Sequence, residues 1–377
     1  MARLLAGLSL GYFLVMLDTT IVTVALPALS PSLPAQQWIS NGYTLTFAAF
    51  LLVAGAWSDR FGARRVFFTG LVSFAALSGL SALSFSTLML IALRALLGVA
   101  GALLVPSSLS LIAAAFPAPG ARAKAMGVWA AVSGTGLVAG PLLGGLLTEA
   151  FGWRAIFLVN VPVAAIALAL SRPAPPTPAR RGRMLPARLF RARAFPLGLA
   201  AGAIVNFGLS GVLFVLSLYF QETRGYPPSM TGMAFLPVTI PTAFNPIFTG
   251  RLVARVGPRV PAVAGFLLMS LGVLVQACST AAVLSVVALA MLGFGVSLAI
   301  PSLLTAVVAA APPDLTGVAG GALNAARQAG AALGVAVLGA VLAGTTTSIA
   351  LVTASALLLA GALVVAAIPA ARPQPVG

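Results

Sequence analysis

Long apolar runs separated by short polar turns recur from one end of the chain to the other. Each is near the ~20 residues that a helix needs to cross a hydrocarbon core. The pattern predicts twelve helices, at about 4–28, 39–57, 66–84, 88–116, 124–148, 153–171, 195–219, 229–250, 260–277, 281–311, 317–342 and 347–370. Between the sixth and seventh lies "SRPAPPTPARRGRMLPARLFRARAF", whose proline and arginine content forbids a spanning helix and reads as a linker. The first run, "MARLLAGLSLGYFLVML", is too long for the apolar part of a signal peptide and is followed by further spans, so it reads as a retained first helix. The expected fold is an all-α membrane protein with twelve transmembrane helices in two pseudo-symmetric six-helix bundles. An N-terminal bundle over 1–171, a linker over 172–194 and a C-terminal bundle over 195–377 follow from the pattern.

Composition agrees with that class. Hydrophobic residues make up 60% of the chain and charged residues 7%, against about 25% charged in a soluble domain. The net charge of +16 does not point to nucleic acid, because the basic residues are scattered between apolar runs instead of forming one face or tail. A single cysteine, Cys278, excludes an internal disulfide, and the absence of histidine argues against a metal site. No cofactor is expected, and no enzyme: there is no nucleotide-binding loop and no cluster of acids.

The basic residues also orient the chain. With both termini on the cytoplasmic side, only Arg154 and Arg224 fall in outer loops, and Arg94 and Arg327 fall within spans; all other lysines and arginines lie in the inner loops and tails. The loop between helices two and three, "GAWSDRFGARR" (55–65), is echoed between helices eight and nine by "GRLVARVGPR" (250–259). Two six-helix halves with a repeated signature suggest a transporter whose site lies at the repeat interface. Gly55 and Gly62 are expected to make a tight turn there.

Only five acids exist: Asp18, Asp59, Glu149, Glu222 and Asp314. Of these Asp18 alone is deep, about 21 Å from the inner end of helix one at 1.5 Å per residue. Arg94 enters from the outer side and reaches the same depth, so the two are placed to pair. Such a pair reads as an ionic tie between helices one and four, or as a proton carrier, because ionisable groups inside a membrane mark proton and substrate pathways. Arg327 lies near the midplane of helix eleven with Asn324 and Gln328 at helical spacing; these three either line a cavity or bond across to neighbouring helices. Tyr43, Phe47 and Phe207, with Phe214, Tyr219 and Phe244, are candidate walls of an amphipathic pocket, although each aromatic alone reads equally as packing or lipid contact.

Helix five carries "GTGLVAGPLLGGLL", with Gly136, Gly140, Pro141, Gly144 and Gly145. Small residues four apart let another helix approach closely, and Pro141 frees a carbonyl and permits a bend. This run, the 55–65 loop and "LIALRALLGVAGA" around Arg94 resemble motifs of the major facilitator superfamily, specifically its drug:proton antiporters. "LDTTIVTVALP" (17–27), "FGWRAIFLVNVP" (151–162), "LYFQETRGYPPSMTGMAFLP" (218–237) and "GALNAARQAGAALG" (321–334) are similar to motifs of the multidrug and antibiotic-resistance subgroup that usually has fourteen helices. This chain has no room for the two extra central helices, and Trp57 stands where a small or aliphatic residue is usual. The resemblance implies a gating role for Asp59, Arg60, Gly62 and Arg64 and for Gly140, Pro141, Gly144 and Gly145. It implies proton coupling through Asp18 and Arg94.

The resulting expectation is a monomeric secondary transporter of a bacterial inner membrane that exports a small amphipathic molecule in exchange for protons by alternating access. The partners are the substrate, protons and the lipid bilayer. A metabolite uniporter or symporter with a purely structural Asp18–Arg94 pair, and a non-transporting membrane receptor of the same fold, remain as alternatives.

Overall fold

The computed structural model describes residues 1–176, 187–312 and 315–368. Asp314, Arg372 and the arginines at 180, 181 and 183, which the sequence places in inner loops, lie outside the described residues. Among the described residues, ten helices are long and apolar enough to cross a membrane: Ala2–Leu29, Leu33–Phe61, Ala63–Ala82, Thr87–Ala115, Gly120–Phe151, Ala194–Thr223, Arg259–Cys278, Ala282–Ala309, Thr316–Gly344 and Thr347–Ala366. Two further spans, the sixth and eighth in chain order, are broken helices, which completes the twelve. They are numbered one to twelve below.

Proline explains both breaks. Span six runs as Ala155–Leu158 and Asn160–Ser171. Pro162 has no N–H for the Leu158 carbonyl four residues back, so the ladder is interrupted at that turn. Span eight runs as Pro228–Ala234, Leu236–Phe244 and Pro246–Val256, with Pro237 and Pro246 just after its interruptions and Pro241 inside the middle piece. Span seven ends differently: its last turn, Tyr219–Thr223, widens to a π-helix that closes at Gly225, which has φ +65°. Part of the linker expected over 172–194 folds as a short 3₁₀ helix, Ala187–Arg191.

The repeated loops share one geometry. Gly62 and Gly257 take φ of +88° and +77°, a conformation that favours glycine, and each turns one helix into the next. Two residues on, Arg64 donates from Nη2 to the Arg172 carbonyl at the end of span six, at 3.3 Å. Arg259 likewise donates to the Ala366 carbonyl at the end of span twelve. In both halves a basic residue thus satisfies an orphan carbonyl at the C-terminus of the sixth helix of that half. Gly55 departs from expectation: it is helical, within Leu33–Phe61, and makes no turn. Its missing side chain leaves span two beside Pro106, with 3.9 Å between a Cβ placed there and the proline Cβ.

Packing divides the chain into two units, Met1–Met184 with Leu213–Thr239, and Leu185–Val212 with Ile240–Gly377. The division by repeated sequence, at the linker, follows a different criterion; by packing, residues 213–239 group with the first unit. Within the first unit, span five lies against span one through Gly136, Gly140 and Gly144. A Cβ at Gly136 would stand 2.7 Å from the Phe13 carbonyl oxygen, and one at Gly140 would strike the Thr20 side chain. Small residues four apart therefore set the distance between these two helices.

Candidate functional site

Asp18 lies where five spans of the first unit meet, fully buried on span one. Its Oδ2 accepts from Nη1 of Arg94 on span four in an ion pair whose side chains are 0% and 2% exposed. Arg94 is held on three sides. Its Nε donates to the Ile39 carbonyl of span two at 3.2 Å, and its guanidinium lies 4.5 Å from the centre of the Tyr43 ring. Tyr43 in turn stacks on Phe47 with centroids 5.9 Å apart, and its hydroxyl donates to the Val15 carbonyl of span one at 3.5 Å.

The local sequence explains the seating of Tyr43. A Cβ at Gly98 would run into the Tyr43 carbonyl and the Thr46 hydroxyl, and one at Gly101 would stand 2.9 Å from the Tyr43 hydroxyl. These two glycines on span four let span two come close enough to place its tyrosine over the arginine. Thr46 locks the approach by donating to the Ala95 carbonyl at 2.7 Å. Tyr43 and Phe47 are each 1% exposed, so neither faces open space in this conformation.

The second carboxylate oxygen, Oδ1, accepts from Nδ2 of Asn160 on span six at 3.1 Å. The same nitrogen donates to Ser78 Oγ of span three at 3.0 Å, and that hydroxyl donates to the Phe157 carbonyl at 3.0 Å. Both side chains are fully buried. Sequence reasoning missed both, although the signal was present: Asn160 is the polar residue of the otherwise apolar "AIFLVNVP" stretch, at a depth similar to that of Arg94. Every charge and both carboxylate oxygens are matched, which a buried ion pair needs if desolvation is not to outweigh attraction.

The C-terminal ends of spans one and five are held by residues 213–239. Pro27 provides no N–H for the Thr23 carbonyl, and Ser217 of span seven donates to that carbonyl at 2.8 Å. Gln221 donates to the Val24 carbonyl at 2.9 Å. On span five, Gly145 and Pro141 meet the first piece of span eight: a Cβ on Gly145 would strike the Pro228 carbonyl, and one on Gly232 would strike the Pro141 carbonyl. Glu149 accepts from the Ser229 N–H at 3.1 Å.

Asp59, Arg60 and Arg64 are exposed around the Gly62 turn, with Arg60 over the Phe61 ring at 5.4 Å. In the second unit Arg327 is half-buried and donates from Nε to Asn206 Oδ1 of span seven at 3.2 Å. Phe207, next to Asn206, is half-buried, and its backbone packs against Gly334. Gln328 is buried and Asn324 half-buried on the same helix.

A polytopic helical chain with repeated loops, a buried acid–arginine pair and glycine-lined helix contacts defines a membrane transporter. The family model described as Major Facilitator Superfamily matches residues 8–335 and, separately, residues 243–377. The chain belongs to that superfamily, a family of transporters and not of enzymes. It is 31% identical over 404 residues to the multidrug resistance protein Stp of Mycobacterium tuberculosis, covering 90% of this chain and 75% of that protein. It is 32% identical over 406 residues to the tetracenomycin C resistance and export protein of Streptomyces glaucescens, with coverage of 90% and 75%. Both aligned spans exceed the length of this chain, so those relatives carry residues without a counterpart here. The fold matches the crystal structure of a bacterial homologue of the human lysosomal transporter Spinster with a TM-score of 0.76 and 18% identity, over 97% of this chain and 94% of that one.

Proposed function

We propose that the protein is a drug efflux transporter that exchanges a small amphipathic molecule for protons, with both termini on the cytoplasmic side of a bacterial inner membrane. The observation that carries the coupling is the buried Asp18–Arg94 pair. Asp18 is the only acid among those described that the spans enclose completely, and intramembrane carboxylates of this kind mark proton pathways. Its pairing gives it two states: ionised against Arg94, or neutral with the arginine released to other partners. Resistance and export relatives support the direction and the class of cargo. The +1 sum of the three embedded charges, Asp18, Arg94 and Arg327, supports neutral, zwitterionic or anionic amphipaths as cargo.

A loading cycle follows from the pair. When the site faces outward, a proton neutralises Asp18, changes its pairing and favours release of cargo. When it faces inward, loss of the proton restores the ion pair and the cargo loads again. A charge crossing the full membrane potential contributes about 2.3 kcal/mol per 100 mV. Asp59, Arg60, Gly62 and Arg64 at one surface, with Gly140, Pro141, Gly144 and Gly145 on span five, are the proposed gating elements. Asn324, Arg327, Gln328 and Phe207 are the proposed cargo contacts, while Tyr43, with Phe47 stacked on it, acts by holding Arg94. Proteoliposomes with an imposed pH gradient, screened with a panel of amphipathic antibiotics and dyes, test the proposal: at least one compound should move uphill as protons move downhill. Transport that ignores the gradient for every transported compound argues for a uniporter.

A metabolite uniporter or symporter is the second reading. It is favoured by the burial of the pair, whose side chains are 0% and 2% exposed and so are closed to water in this conformation.

A further inference from the structure

We propose that Asn160 is a positioning residue that reports the protonation of Asp18 to the break in span six. The inference rests on Asp18 being the coupling carboxyl. An ionised carboxylate only accepts hydrogen bonds, so the Asn160 amide presents its nitrogen to Asp18 and uses both N–H groups, one on Asp18 and one on Ser78. Its Oδ1 is left buried with no hydrogen-bond partner. That is a costly place for an acceptor, and it is the acceptor that the neutral form of Asp18 requires.

The proton has one place to go. Oδ2 faces Arg94, which has donors only, so a protonated Asp18 carries its hydrogen on Oδ1, toward Asn160. The amide nitrogen cannot accept it. A half-turn of the amide brings Oδ1 of Asn160 to Asp18 and also to Ser78. The Ser78 hydroxyl then faces an acceptor and turns to it, leaving the Phe157 carbonyl. Phe157 is the residue before the last of the first piece of span six, next to the Leu158 carbonyl that Pro162 leaves without a donor. Protonation on span one therefore removes a hydrogen bond at the weakest turn of span six. The ionisable groups facing Asp18 are Arg94 from span four and Tyr43 from span two; spans three and six turn Ser78 and Asn160 to this site, and span five brings glycines against Phe13, Leu17, Thr20 and Ile21 of span one.

The test needs no cargo. Amide hydrogen exchange over peptides covering 153–163 is measured on the purified full chain in nanodiscs at acidic and alkaline pH, with rates corrected for intrinsic chemistry. The wild type should exchange about tenfold faster at acidic pH in this segment, with span twelve unchanged. Asn160→Ala should abolish the pH response while leaving exchange elsewhere as in wild type. Ser78→Ala, a smaller change that serves if Asn160→Ala does not fold, should do the same. Asp18→Asn separates the two ideas. If it removes the response and Asn160→Ala keeps it, Asn160 is only packing. If Asp18→Asn keeps the response, the coupling role of Asp18 falls as well. A wild-type segment with no pH response also overturns the inference.

Discussion

Replacing Gly144 with alanine adds one methyl group where span five packs on the backbone of span one. The new Cβ would be driven into the Ile21 carbonyl oxygen and would stand 3.2 Å from the Ile21 carbonyl carbon. These are backbone atoms, which cannot swing aside, so the helices themselves must separate. Forcing one extra carbon into a packed contact costs about 1–3 kcal/mol. Gly127, on the same helix, is the matched control, because a Cβ there meets nothing within 4 Å. Both substitutions share the ~0.5–1 kcal/mol that alanine gains over glycine in a helix, so the difference between them isolates the contact. Unfolding by sodium dodecyl sulfate in mixed micelles, followed by circular dichroism, measures it. Gly144→Ala should be about 1–3 kcal/mol less stable than Gly127→Ala, and Gly144→Leu should insert in the membrane yet lose transport. Equal midpoints for the two alanine variants would refute the idea that the glycine row sets the helix spacing.

Asp18→Leu should destabilise the chain by about 3–5 kcal/mol, because it strands a buried guanidinium that cannot give up its charge; the double variant with Arg94→Leu should recover most of that loss in the same unfolding assay. Ser217→Ala should leave the Thr23 carbonyl without its side-chain donor and speed hydrogen exchange at the C-terminal end of span one. Arg64→Ala and Arg259→Ala should each fray one helix end, raising exchange at residues 166–171 and 361–366 respectively while leaving the other end unchanged. Cys278, exposed at the end of Arg259–Cys278, should react with an impermeant maleimide added outside intact cells; labelling only from the cytoplasmic side would invert the proposed orientation.

Much of the fold was legible because membrane spans obey one dominant rule. A helix in lipid must satisfy its backbone internally and present about twenty apolar residues, and that leaves a strong mark in the order of residues. Span boundaries such as 88–116 against Thr87–Ala115, or 260–277 against Arg259–Cys278, follow directly. The breaks at Val159 and within span eight were less legible, because proline bends some membrane helices and interrupts others according to which neighbours supply donors. Pro106 and Pro301 sit inside unbroken helices. The pairing of Asp18 with Arg94 could be reached by counting depth from each surface. Its third partner could not, since depth alone does not say that Asn160 faces inward rather than along another side of span six. Sequence reads Tyr43 and Phe47 as candidate pocket walls but does not reveal that Gly98 and Gly101 opposite them let Tyr43 lie over the Arg94 guanidinium, with Phe47 stacked on Tyr43.

Proton coupling through Asp18 is tested most directly by pH-gradient-driven flux in proteoliposomes containing Asp18→Asn. Asparagine keeps the size and an acceptor oxygen for Arg94 but cannot ionise. The variant should bind cargo and exchange it across the membrane without accumulating it against a gradient. Uphill export by Asp18→Asn at the wild-type rate would show that the carboxylate is a structural partner of Arg94 and that protons take another route.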